Sequence, residues 1–188
     1  MKRKINKIGN QKFKQRGISA IQIMLGVLVG ALVLIGGLSL LRWVDSAKVN
    51  NDLSELNDLK ARTVSYALNH NGSFSGVTQE TIIGLDFFPS NRVSGASGSR
   101  VVQNQWKGLI TVAPATTATA NDSLLFTYTG ITSAACKELS LKAAQLAAAI
   151  SVGGTPVKPS LGTLNEATMI TSCDQGNDNV TIAYTFNR

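Results

Sequence analysis

The chain has 188 residues, 44% of them hydrophobic, and a formal net charge of +7, which suits one compact domain plus one membrane-length segment. The charge is lopsided: seven of the eighteen basic residues fall in the first 17 positions, and from Ile18 onward eleven bases meet eleven acids. A nucleic-acid protein needs its bases clustered on a folded face, so this balance argues against one.

The first 17 residues form a basic leader with Lys2, Arg3, Lys4, Lys7, Lys12, Lys14 and Arg16 and no acid. An apolar run follows, and from Ile18 to Leu41 it holds no charged residue over 24 positions. As a helix it measures roughly 36 Å at ~1.5 Å per residue, enough to cross the hydrocarbon core of a bilayer. Three readings are open. A secretory signal has a shorter apolar region of about 7–15 residues and a small-residue cleavage site, which Arg42-Trp43-Val44-Asp45-Ser46-Ala47 does not offer. A single-pass anchor explains the length and the upstream positive charge, which holds the N-terminus in the cytoplasm. Cleavage at Gly17, leaving the apolar helix as the mature N-terminus, also explains the sharp end of the basic segment. Gly26 and Gly30 make a small-xxx-small step that permits close helix packing, or are ordinary membrane-helix glycines.

An amphipathic pattern continues from Asp45. Val49, Leu53, Leu56, Val64 and Ala67 share one helical face, and Lys48, Asp52, Glu55, Asp58 and Lys60 populate the rest. No proline interrupts residues 18–71 and Asn71-Gly72 supplies a stop, so one helix of about fifty residues is expected. Residues 71–100 read as loop-rich, with Ile82, Ile83, Leu85, Phe87 and Phe88 as an apolar plug docking the loop onto the helix. Gly108–Val112, continued back through Trp106, and Ser123–Thr129 read as two strands of an antiparallel hairpin. Thr132 or Ser133 caps a second helix expected over Ala134–Ile150, ended by Gly153-Gly154, with Pro156 and Pro159 keeping the next stretch irregular. Residues 165–173 are open between helix and strand. Val180, Ile182, Tyr184 and Phe186 alternate with Thr181, Ala183 and Thr185, a half-buried terminal strand. The fold class is α+β: a long N-terminal helix, an antiparallel sheet and a second helix tied to the C-terminal region.

No catalytic constellation stands out, and an enzyme is not expected. His70 is the only histidine and sits beside the helix stop, where a solvated or capping role is expected. Asp52, Glu55 and Asp58 come with Lys48, Lys60 and Arg62, so they read as a solvated face and not as metal ligands. No zinc-type cysteine pair or phosphate-cradling glycine loop is present, and no cofactor is implied. Trp106 and Phe126 read as core. Cys136 and Cys173 are the only cysteines. If the membrane helix places them outside the cytoplasm they form a disulfide; otherwise they are two buried thiols.

Lys14-Gln15-Arg16-Gly17, then Ile18 and a long apolar helix, resembles the processing site of type IV prepilins. Residues further along extend the resemblance over the whole chain. A Pro89-containing segment and Asn104-Gln105-Trp106-Lys107-Gly108 leading into a strand look like the entry to the sheet in type IVb pilins. Cys136 and Cys173 match the disulfide that brackets their variable C-terminal region. The long leader and a first mature residue other than Phe also favour the IVb branch, which includes plasmid-encoded conjugative thin pili and enteric major pilins.

The resemblance implies residues 1–17 as a leader removed by a prepilin peptidase between Gly17 and Ile18. Residues 18–44 would then be a transmembrane and filament-core helix, and residues 45–188 a globular head. It implies an inner-membrane precursor that reaches an extracellular pilus by self-assembly with pilus assembly machinery, serving conjugation or adhesion. Ile18, Ser19, Gln22, Gly26 and Gly30 would carry assembly. The family pattern has a glutamate at the fifth mature position, where this chain has Gln22. Its amide oxygen can accept a hydrogen bond from the Ile18 amine but cannot cancel that charge. The chain stops just after the terminal strand, so no appended adhesin domain is expected, which favours a major subunit. The rivals are a minor pilin or pseudopilin, and an uncleaved single-pass membrane protein with a periplasmic binding domain.

Overall fold

The computed structural model describes the backbone of residues 20–188 and side-chain surroundings from Asp45 onward. Gly17, Ile18 and Ser19 lie outside the described residues, and for Gln22, Gly26 and Gly30 only the backbone is described. The chain divides into two compact units, residues 1–42 and 43–188; the second is called the head here. Among the described residues no helix is long and apolar enough to cross a membrane. The side chains of the apolar run Ile18–Leu41 fall outside that description.

Helix α1 is continuous over Ala20–Asn69. It stops where the sequence predicts: Gly72 takes φ 73 and its N–H reaches back to the Ala67 carbonyl at 2.8 Å, a left-handed cap that glycine adopts without steric cost. In the head, Val49, Leu56, Leu59 and Ala67 are buried, at spacings of seven, three and eight residues that keep them on one helical face. Asp52 and Thr63 fall on that same stripe. The Thr63 hydroxyl is satisfied by donating to the Leu59 carbonyl at 2.7 Å. Asp52 finds a partner only from outside the helix.

Seven strands build one antiparallel sheet: β1 Val93–Ser94, β2 Val101–Gln103, β3 Leu109–Ala115, β4 Ser123–Ile131, β5 Ala149–Val152, β6 Thr155–Lys158 and β7 Val180–Asn187. Their order is β1-β2-β3-β4-β7-β5-β6, so the last strand of the chain lies in the interior of the sheet. Cross-strand rows set the core. Ile110, Tyr128, Ile182 and Val152 form one row, Val112, Phe126, Tyr184 and Ile150 the next, and all eight are buried. They share one hydrophobic cluster with the buried stripe of α1. The alternate rows, Thr111, Thr127, Ala183, Ser151 and Ala113, Leu125, Thr185, Ala149, occupy the opposite face.

Three short helices complete the head: α2 Gln79–Gly84, α3 Ser133–Ala143 and α4 Glu166–Gln175. Several expectations need correction. The second helix ends at Ala143 instead of Ile150, and Ala149–Val152 is strand β5. Alanine-rich sequence favours helix locally, but Ile150 and Val152 gain burial by pairing with β7. Gly153 and Gly154, with φ 56 and 81, form the β5–β6 hairpin turn instead of a helix stop. Pro156 therefore lies in a strand, and β6 tolerates it because it is an edge strand. Leu85 is 47% exposed and leaves the plug, whereas Ile82, Ile83, Phe87 and Phe88 are buried in it. Residues 165–173 resolve to helix, with Asn165 accepting from the Thr168 N–H at 3.1 Å as the N-cap.

β3 begins at Leu109, not Trp106, because Asn104 closes a turn before it. Its side-chain oxygen accepts from the N–H groups of Trp106 and Gly108, both at 2.9 Å, and its amide donates to the Thr129 carbonyl at 2.6 Å. Gly108 is forced by that approach, since a Cβ there would stand 1.7 Å from the Thr129 oxygen. Gly108→Ala is expected to cost about 3 kcal/mol or more of head stability, at or beyond the upper end of ordinary overpacking, because the clash is with backbone. Urea unfolding followed by circular dichroism reads it.

Candidate functional site

A buried ionic site lies between α1 and the loop that precedes the sheet. Asp52 and Glu55 project from successive turns of α1, and Arg92, at the end of the 3-10 turn Ser90–Arg92, reaches both. Its Nη2 lies 3.3 Å from Asp52 Oδ1 and donates to it. Its Nη1 lies 2.6 Å from Glu55 Oε2, a close charge contact whose N–H direction is off the hydrogen-bond line. The Tyr128 hydroxyl of β4 donates to Glu55 Oε1 at 3.1 Å. Side-chain exposure is 1% for Asp52, 10% for Glu55 and 12% for Arg92, so the three are withdrawn from water together. Asp52 Oδ2 and the Tyr184 hydroxyl are buried without partners.

Burial sets the protonation of this site. It pushes the Asp52 carboxyl up from 3.8 to about 7, with Glu55 adding to the rise and Arg92 opposing it. Burial raises Glu55 as well, against the pull of Arg92 and the Tyr128 hydroxyl. Tyr128 and Tyr184 are driven up by burial and by the carboxylates beside them. The reading of Asp52 and Glu55 as a solvated helix face is therefore overturned. Asp52 stands three residues after Val49 and four before Leu56, on the apolar stripe, and that spacing was the available signal. Arg92, forty residues further on, left none. An open groove of about 590 Å³ lies beside the cluster, between Asn51, Ser54, Asp58 and Arg62 on α1 and Phe87–Arg92 on the loop.

The second feature is covalent. Cys136 on α3 and Cys173 on α4 form a disulfide with Cα atoms 5.8 Å apart. Thr132 caps α3 by accepting from the Ala135 N–H at 3.3 Å. Around the bond, Ser133 donates to Asp174 at 2.7 Å and Lys137 pairs with Asp174 at 2.5 Å. Lys158 of β6 donates to the Ala144 and Ala147 carbonyls, both at 2.6 Å, closing the end of α3. His70 is exposed; its ring stacks on Tyr66 at 3.9 Å. Phe126 is buried and Trp106 half-buried against the core. Among the described residues no group of three or more His, Cys, Asp or Glu side chains is placed to hold a metal ion.

A family model described as PilS N terminal matches residues 46–187, nearly all of the head. The chain belongs to that family. Its fold is that of the type IVb pilins: it matches the crystal structure of type IV b pilin from Salmonella typhi at a TM-score of 0.58 and 19% identity, covering 74% of this chain and 99% of that one. A second solved structure, TcpA, a type IV pilin from Vibrio cholerae El Tor biotype, aligns at a TM-score of 0.45 and 13% identity over 72% of this chain and 98% of that one. No curated protein sequence matches.

Two measurements test the site's energetics. Arg92→Ala removes the cation that both buried acids contact and is expected to cost about 3–5 kcal/mol in urea unfolding at neutral pH. Reducing the bond between Cys136 and Cys173, which lie 37 residues apart, is expected to remove about 4 kcal/mol in the chain-entropy model. Parallel melts with and without reductant read that loss.

Proposed function

We propose that this chain is a structural subunit of an extracellular type IVb-like pilus, processed between Gly17 and Ile18 and assembled through its N-terminal helix. The observation that carries the reading is the continuity of α1: the spine of a pilin-type head is the same helix as the uncharged run that follows the basic leader. The family and fold are structural rather than enzymatic. In this scheme the leader holds the precursor in the inner membrane until a prepilin peptidase cuts after Gly17. The freed helix then exchanges lipid neighbours for copies of itself, with Gly26 and Gly30 letting backbones approach closely. Ser19 and Gln22 solvate the new Ile18 amine by hydrogen bonding, because an unpaired buried charge costs several kcal/mol. The balance of eleven bases and eleven acids beyond Ile18 suits a densely packed polymer better than a nucleic-acid surface.

The role is that of a major pilin in conjugation or adhesion. Gln22, standing where the family pattern has glutamate, favours one second reading: a minor pilin or pseudopilin, placed where register control by a carboxylate is not needed.

Sequencing the N-terminus of protein sheared from cells is expected to begin at Ile18, and electron microscopy to show fibres that vanish when the gene is removed. A chain that keeps its leader in cells without fibres is the outcome of an uncleaved single-pass protein. Gln22→Glu is expected to keep or raise fibre yield; collapse of assembly would show that the site requires more than polarity.

A further inference from the structure

Two carboxylates and one guanidinium do not balance. Among the described residues Arg92 is the one cation paired with Asp52 and Glu55. The other groups that act on them are the Tyr128 hydroxyl from β4, the Tyr184 hydroxyl from β7, and Asp58 on the next turn of α1. With both carboxylates ionised, the site holds one surplus negative charge away from water, and Asp52 Oδ2 receives no hydrogen bond. Tyr128 is already committed to Glu55. A proton on Asp52 removes the surplus and turns Oδ2 into a donor, in a neighbourhood where the Tyr184 hydroxyl oxygen is also unpaired.

We propose that Asp52, Glu55 and Arg92 form a single-proton site that latches the Pro89–Val93 segment onto α1. With the proton bound, Arg92 faces one net negative charge and the segment stays closed. With the proton lost, hydration of the second carboxylate relieves the burial cost, and the turn that carries Arg92 moves off α1 to admit that water. Pro89–Arg92 is also one wall of the groove whose other wall is Asn51, Ser54, Asp58 and Arg62, so the proton sets the shape of that surface. The latch belongs to the head alone and does not depend on the filament reading.

The sign follows from linkage. The folded head keeps a proton on Asp52 that the unfolded chain releases, so between 3.8 and about 7 the folded state binds more protons. The stabilising contribution is full below that window and declines as pH rises through it; Glu55, raised in the same direction, adds to the decline.

The test uses the full chain in detergent micelles, labelled for carboxyl and amide NMR. One carboxyl resonance, lost in Asp52→Asn, is expected to titrate with a midpoint of about 7. Between about pH 6 and about pH 8 the deprotonated fraction then rises about tenfold. Amide exchange across Ser90–Val93, corrected for the intrinsic effect of pH, is expected to rise by the same factor, while β4 and β7 amides stay protected. Asp52→Asn is expected to hold the segment closed at both values. Glu55→Gln, which leaves one carboxylate for one guanidinium, is expected to do the same and decides the matter if the first variant fails to fold. The latch is overturned if no carboxyl titrates in that range. It is equally overturned if exchange at Ser90–Val93 is unchanged, if β4 and β7 open together with it, or if the opening persists in both variants.

Discussion

One guanidinium decides where the loop between α1 and the sheet sits. Arg92 is the described cation that contacts both buried carboxylates of α1, and its turn leads directly into β1. Between Asn71 and Val93 the chain supplies apolar anchors: Ile82 and Ile83 on α2, then Phe87 and Phe88. Those anchors bury area but do not fix register, since apolar contact is non-directional. The Arg92 Nη2 hydrogen bond to Asp52 is directional, and it pins the end of the loop to a given turn of α1. Glu80 on α2 ties the same segment to the start of β2, accepting from the Arg100 backbone N–H at 2.6 Å and from its Nε at 2.7 Å.

Buried ionic groups of this kind add little net stability, because desolvation offsets their attraction. Their effect is on specificity: a loop misplaced by one residue would leave three charges unpaired in the core. The same trade explains the Asp122 turn between β3 and β4. Desolvation works against that carboxylate, yet the Ser123 hydroxyl and the N–H groups of Thr119, Thr117 and Ala118 hold its pKa well below the usual range. Five polar residues in a Thr/Ala-rich turn without proline thereby gain one defined geometry.

The sequence was most legible where periodicity and packing agree. α1, the β3–β4 hairpin and β7 all follow from patterns of 3.6 or 2 that the folded head keeps. It was least legible over residues 144–158, where local and tertiary preferences conflict. Alanine-rich sequence there is a good helix former, and nothing nearby in the chain reveals that β7, some thirty residues later, presents an open edge for Ile150 and Val152. The ion cluster failed for a related reason. An acid beside lysines on an amphipathic helix is ordinarily solvated, and only a partner brought from forty residues away makes burial of Asp52 tolerable. Long-range pairing leaves no periodic trace.

The two flanks of the sheet are held by different physics. On the β5–β6 side, α3 and α4 are joined by a covalent bond, and Lys158 ties β6 to the last carbonyls of α3. Thermal opening there must break several kinds of restraint together. On the β1–β2 side, two- and three-residue strands with few ladder bonds depend on Arg92, Arg100 and the Asn104 turn. Electrostatic restraints respond to protons and salt in a way that disulfides do not. The head is thus built with one flank whose geometry is fixed once oxidised and one whose geometry remains coupled to its surroundings. The groove beside Arg92 lies on the second flank, so its walls share that coupling.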